Sequence, residues 1–169
     1  MRKILLALLV LGVLSAPARA QNWYRLESAE GAFTATLPAR PEYQAVPIGG
    51  GALTLHRWLF ETRGRDAAYL VSYIDYDRGH VARNGLHPLL DAMVEGFGRS
   101  VGTLLSVRSI TYAGQPVREA TARTRDGFIV RQRHMLVGDR GYIWNYTGLP
   151  GTEYGPAAER VLDSLVIHR

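Results

Sequence analysis

Asp66-Ala67-Ala68-Tyr69-Leu70-Val71-Ser72-Tyr73-Ile74-Asp75-Tyr76-Asp77 is the stretch from which the fold can be read. It holds no proline or glycine, and aromatic and β-branched side chains dominate it, the composition of a strand. Apolar side chains fall on both parities, so the predicted strand is covered on both faces. It ends in acids, crosses the polar run Arg78-Gly79-His80-Val81-Ala82-Arg83-Asn84-Gly85, and enters the clearest helical pattern of the chain. There Leu86, Leu89, Leu90, Met93, Val94 and Phe97 form one apolar stripe, with Asp91, Glu95 and Arg99 on the polar side. Pro88 suits the first turn, and Gly102 can stop the helix.

Upstream, Trp23 to Glu27 and Gly31 to Leu37 read as two short strands joined by a turn, the second ended by Pro38 and Pro41. Gly49-Gly50-Gly51 reads as a flexible turn that opens a longer strand, Ala52 to Thr62. Downstream, Thr103 to Tyr112, Gln115 to Thr124, Phe128 to Val137 and Tyr142 to Thr147 are strands separated by turns too short for anything but antiparallel pairing. Tyr154, Ala157, Ala158, Val161, Leu162 and Leu165 repeat the helical spacing and predict a second amphipathic helix. The order is four strands, a helix, four strands, a helix. It predicts an α+β domain: an antiparallel sheet of about seven or eight strands with two one-sided helices packed on it.

The opening residues set a destination. Arg2 and Lys3 precede an apolar run from Ile4 to Leu14, and Ala18-Arg19-Ala20 is a small-x-small cleavage site, so residues 1–20 read as a secretory signal peptide. The run is shorter than the ~20 residues a membrane-spanning helix needs. The expected product, residues 21–169, is a single domain of ordinary size, exported to the periplasm or secreted. The chain has no cysteine, which excludes a lipid anchor at the cleavage position and leaves stability to the core. Cleavage also removes three of the 20 basic residues, leaving 17 arginines against 15 acids. Those arginines are interspersed with the acids, a pattern that argues against nucleic-acid binding.

Several pieces together resemble the Mog1/PsbP-like fold and the small exported bacterial domains that share it. The carriers are Ser28-Ala29-Glu30-Gly31-Ala32-Phe33 with Leu37-Pro38 and Pro41, then Tyr69-Leu70-Val71-Ser72-Tyr73, then Gly114-Gln115-Pro116, and the ending Ala157 to Leu165. The resemblance implies an antiparallel sheet flanked by helices and an accessory or binding role. It carries over no catalytic residue and no cofactor.

Four places can hold chemistry. Asp75 and Asp77 share a parity, and with His80 and His87 they compose a donor set for Ca²⁺, Mn²⁺ or Zn²⁺, although the spacing matches no established metal motif. The alternative is a solvated loop. Tyr142, Trp144 and Tyr146 lie on one strand face and predict either core or the wall of a ligand or partner surface. Arg131 and Arg133 share a strand face and predict an anion-binding patch on an open sheet face, or a solvated face with cross-strand pairs to Glu119 or Asp126. His56 and His134 make a metal or acid–base pair only if their strands are neighbours. No nucleophile motif and no glycine-rich phosphate loop occurs. The function this predicts is a non-catalytic exported module with a protein or small-molecule partner. Its alternatives are a ligand- or metal-binding protein using the 75–87 loop, and an enzyme of unrecognised type.

Overall fold

A computed structural model of the protein describes residues 22–168, and the signal peptide expected at 1–20 lies outside them. The chain opens with a hairpin of β1 (Tyr24–Ser28) and β2 (Phe33–Leu37). The turn between them is held by Ser28 Oγ, which accepts from the Gly31 amide at 3.0 Å. Next come β3 (Glu42–Ile48), a 3₁₀ turn over the three glycines, β4 (Leu53–Glu61) and β5 (Ala67–Asp75). Two helices follow, the short α1 (His80–Asn84) and the long α2 (Leu86–Val101). Then β6 (Gly102–Tyr112), β7 (Gln115–Thr124), β8 (Ile129–Val137) and β9 (Arg140–Gly148) run up and down. Finally α3 (Pro156–Leu162) leads to β10 (Val166–Ile167).

Among the described residues the strands form two sheets. Seven pair in the order β3-β4-β5-β9-β8-β7-β6, every pairing antiparallel, and the other three in the order β1-β2-β10. The fold is therefore α+β, as the sequence predicts. Strand β5 joins the β3–β5 meander to the β6–β9 meander by pairing with β9 along its whole length, Ala67 opposite Gly148 through Asp75 opposite Arg140. Its two parities meet different surroundings: Tyr69, Val71 and Tyr73 enter the core, whereas Leu70 and Ile74 border a cavity rather than a covering helix.

The two faces of the large sheet have different covers. On one face Tyr69, Val71, Tyr73, Tyr142, Trp144 and Met135 pack beneath the small sheet and α3, in one cluster with Phe33, Leu37, Val161 and Leu162. On the other face α2 lays Val94 and Phe97 over Ala120, Ala122 and Val130. The small alanine side chains of β7 let the helix come close there. Burying each large side chain contributes roughly 1.5–3 kcal/mol.

Three local differences from the sequence reading have physical causes. Strand β3 follows Pro41, in a stretch where the sequence predicts no element; it contains Pro47 but pairs only with β4, and a sheet edge tolerates a missing amide donor. The polar run after β5 is a turn of helix because the Asp139 carboxylate accepts from the amides of Gly79 at 2.6 Å and Val81 at 2.9 Å. The last helix is shorter than its apolar stripe: Tyr154 lies outside it and 53% exposed, while Leu165 is buried just beyond its end. Ser164 ends that helix by accepting the Thr36 amide at 2.9 Å, which turns the chain into β10 beside β2.

Candidate functional site

The predicted donor set in the 75–87 loop does not assemble. The Asp75 carboxylate lies on Arg140 in a two-pronged pair, Nε to Oδ1 at 2.5 Å and Nη2 to Oδ2 at 2.7 Å. His80 stacks on Tyr76 with ring centroids 4.9 Å apart, and Asp77 and His87 are exposed. Among the described residues no group of three His, Asp or Glu side chains has a metal-holding arrangement.

Tyr142, Trp144 and Tyr146 are at most 5% exposed, so these three side chains are core rather than a surface that a partner can touch. Their polar atoms are used internally: Trp144 Nε1 donates to the Leu162 carbonyl at 2.9 Å, and Tyr142 Oη donates to the Gly31 carbonyl at 2.9 Å.

Arg131 and Arg133 also lie on the covered face, not on an open one. Both converge on Glu119, which is 2% exposed: Arg131 Nη2 and Arg133 Nε donate to its Oε2 at 2.9 and 2.8 Å, and Arg108 donates to its Oε1. The cross-strand pairing with Glu119 that the sequence suggests is present, in register, but it is buried. Their outer prongs hold α3, with Arg133 Nη1 donating to the Leu162 carbonyl and Asp163, and Arg131 Nη1 donating to Glu159. Burial alone would raise the Glu119 carboxyl, but the hydrogen bonds from Arg131, Arg133 and Arg108 outweigh it and hold it at about 2. The cluster is a structural clamp.

The opposite face of the same strands is where a cavity opens. α2 covers the β6–β8 side of that face, and beside it a groove of about 680 Å³ runs over β4, β5, β9 and β8. That volume falls within the ~300–1,000 Å³ typical of small-molecule sites. Leu55, Leu70, Ile74 and Ile143 form its apolar floor, and Met93, Gly96 and Phe97 form the wall on α2.

Polar side chains converge in this apolar groove. One row of facing residues crosses the sheet as Arg57, Ser72, Ile143, His134, and the next places Asn145 directly opposite Gln132. Asn145 Nδ2 donates to Gln132 Oε1 at 2.8 Å, which turns the Gln132 amide nitrogen toward His134 Nε2 at 3.2 Å. His134 is 1% exposed, and burial pushes its imidazole down to about 4, so the ring is neutral at pH 7. With Nε2 accepting from Gln132, the ring proton sits on Nδ1, and Nδ1 finds no partner among the described residues. Ser72 Oγ donates to the Ile143 carbonyl at 3.0 Å and stands two strands, about 10 Å, from His134. No serine–histidine couple forms there.

His56 and His134 are separated by β5 and β9 and do not meet. His56 instead stacks on Tyr73 at 4.6 Å and shares a hydrogen bond with Tyr43 Oη at 2.7 Å. The polar groove residues Gln132 and Asn145 escape the sequence reading. Their one signal is that Gln132 and His134 fall on the parity opposite Arg131 and Arg133 within a strand that is apolar at its ends.

No known family model matches the sequence, and no curated protein matches it either. Solved structures do match its shape. The solution structure of the cyanobacterial PsbP protein CyanoP from Synechocystis superposes with a TM-score of 0.59 at 10% identity, covering 90% of this chain and 96% of that one. A Pseudomonas aeruginosa protein of unknown function, described as a putative regulator, superposes with a TM-score of 0.52 at 15% identity over 87% of this chain and 98% of its own. At such identities the likeness speaks for the fold alone. The chain has a PsbP-like fold.

Proposed function

We propose that the chain is an exported, non-catalytic binding module, periplasmic or secreted, whose ligand or partner enters the groove between α2 and the β4–β5–β9 half of the large sheet. One observation carries this reading. An apolar cavity of ligand size contains a few convergent polar side chains, Ser72, Gln132, His134 and Asn145, and none of them is coupled as nucleophile and base. The secretory pattern of residues 1–20 supports export, and no helix among the described residues is long and apolar enough to cross a membrane. The likeness to a Pseudomonas protein described as a putative regulator is in keeping with an accessory role.

Gly96 supplies the test. It lies on the groove wall within α2, and a Cβ built there meets nothing within 4 Å. Gly96→Trp therefore fills the groove without straining the helix. The mature protein is expected to bind the neutral fluorophore N-phenylnaphthylamine saturably, and Gly96→Trp to abolish that binding while retaining the wild-type circular dichroism. Equal binding by the two proteins would remove the groove from the function. Turnover in a broad hydrolase screen that disappears in His134→Leu would overturn the non-catalytic reading. Export predicts a periplasmic or extracellular product whose mass lacks residues 1–20. Intact chain retained in the cytoplasm would refute it.

A further inference from the structure

The groove has a charge and a donor that specify more than apolar contact. Arg57 is the one charged residue among its lining side chains; none of the described lining residues is acidic. Arg57 takes part in none of the ion pairs among the described residues. Its Nε and Nη2 both donate to Gln44 Oε1, at 3.0 and 2.6 Å, which fixes the guanidinium side-on. The end-on fork of Nη1 and the second Nη2 hydrogen stays open, a geometry that matches a carboxylate. Three strands away in the same row, His134 keeps an unpartnered Nδ1–H in a side chain only 1% exposed. At strand spacing the backbones of these residues stand about 14 Å apart. Between them lie Ser72, whose hydroxyl donates to the Ile143 carbonyl, and Ile143 within the row, with Leu70 and Ile74 beside it.

Resting on the groove reading above, we infer that the ligand is a monoanionic amphiphile, with its carboxylate on the open fork of Arg57, its apolar body along Leu70, Ile74 and Ile143, and a hydroxyl or carbonyl oxygen at the far end accepting from His134 Nδ1–H. A buried donor without an acceptor is unfavourable, so an oxygen reaching it discriminates between otherwise equal chains. The Asn145–Gln132–His134 chain sets which imidazole nitrogen bears the proton. It thereby makes the inner end of the groove select an acceptor rather than a donor.

Three probes of matched length separate the parts: decanoic acid, its ω-hydroxy derivative, and decanol, each titrated calorimetrically into the mature protein. ω-Hydroxydecanoate is expected to bind most tightly and decanol most weakly. Arg57→Gln should weaken both acids about tenfold, close to 1.4 kcal/mol, and leave decanol unchanged. His134→Leu should erase the preference for the hydroxy acid. If that variant fails to fold, the wild-type ratio of the two acids decides the same point, and equal affinities would remove His134 from recognition. Decanol binding as tightly as the acids, or acids indifferent to Arg57→Gln, would overturn the anionic class. Should none of the three bind while N-phenylnaphthylamine still distinguishes wild type from Gly96→Trp, the ligand class falls and the groove stands. Should the fluorophore also fail to distinguish them, both fall.

Discussion

Glu119 carries the heaviest single duty among the polar residues. It accepts from three arginines, and two of those reach onward to α3 through Glu159, Asp163 and the Leu162 carbonyl. Removing one partner from a buried ion cluster typically costs about 3–5 kcal/mol, because the remaining charges stay desolvated and unpaired. Glu119→Gln is therefore expected to lower stability by about that amount in urea unfolding, with α3 loosened first. Asp163→Asn, at the exposed end of the same cluster, should cost less than about 1 kcal/mol. Equal losses from the two variants would dismiss the clamp. Parity along the strands already indicates that Arg131 and Arg133 share a face and offers Glu119 or Asp126 as cross-strand partners; the structure selects Glu119. Which face is covered is not in that pattern, because arginines on a strand look the same beneath a helix and beneath water.

Among the elements, α2 has a glycine within it and another just past its end whose replacements have opposite consequences. Gly96 is an unstrained interior position open to the groove, so Gly96→Ala should raise the melting temperature, up to about 1 kcal/mol through helix propensity alone. Gly102 ends the helix at φ 149°, where a Cβ would lie 2.3 Å from the Arg123 carbonyl oxygen. Gly102→Ala should therefore destabilise the α2–β6 junction, seen as a lower urea midpoint and faster amide exchange along β6. The sequence reads α2 well because its stripe at helical spacing is long. It misreads the end of α3 because Leu165 continues the apolar spacing although Ser164 has already diverted the chain to β2. Periodicity reports burial, and a buried residue after a turn keeps the period without the helix.

At the scale of the whole molecule, acid should act in two windows. His134 titrates near 4 when folded against its ordinary 6.5, so the unfolded chain binds more protons between these values. Stability held above pH 6.5 is then lost as pH falls toward 4, by about 3 kcal/mol. Arg118, its neighbour across β7, already donates to Asp91, and a second cation beside it gains no relief. Glu119, held at about 2 against 4.5, adds a further loss only below pH 4.5. Urea midpoints between pH 7 and 3 are expected to fall in both windows. In His134→Leu the upper window should flatten, and an unchanged upper window would dismiss the histidine as its cause. The sequence by itself determined the α+β class, the antiparallel hairpins, the place of α2 and the strand within Asp66–Asp77, because each follows from side-chain period and turn chemistry within short windows. Only the tertiary structure decided that β5 meets β9, that the arginine face is sealed by α3, and that Arg57, Gln132, His134 and Asn145 border one groove. Those facts depend on which strands become neighbours and where a helix stops covering a sheet, and both are settled by packing between segments far apart in the chain.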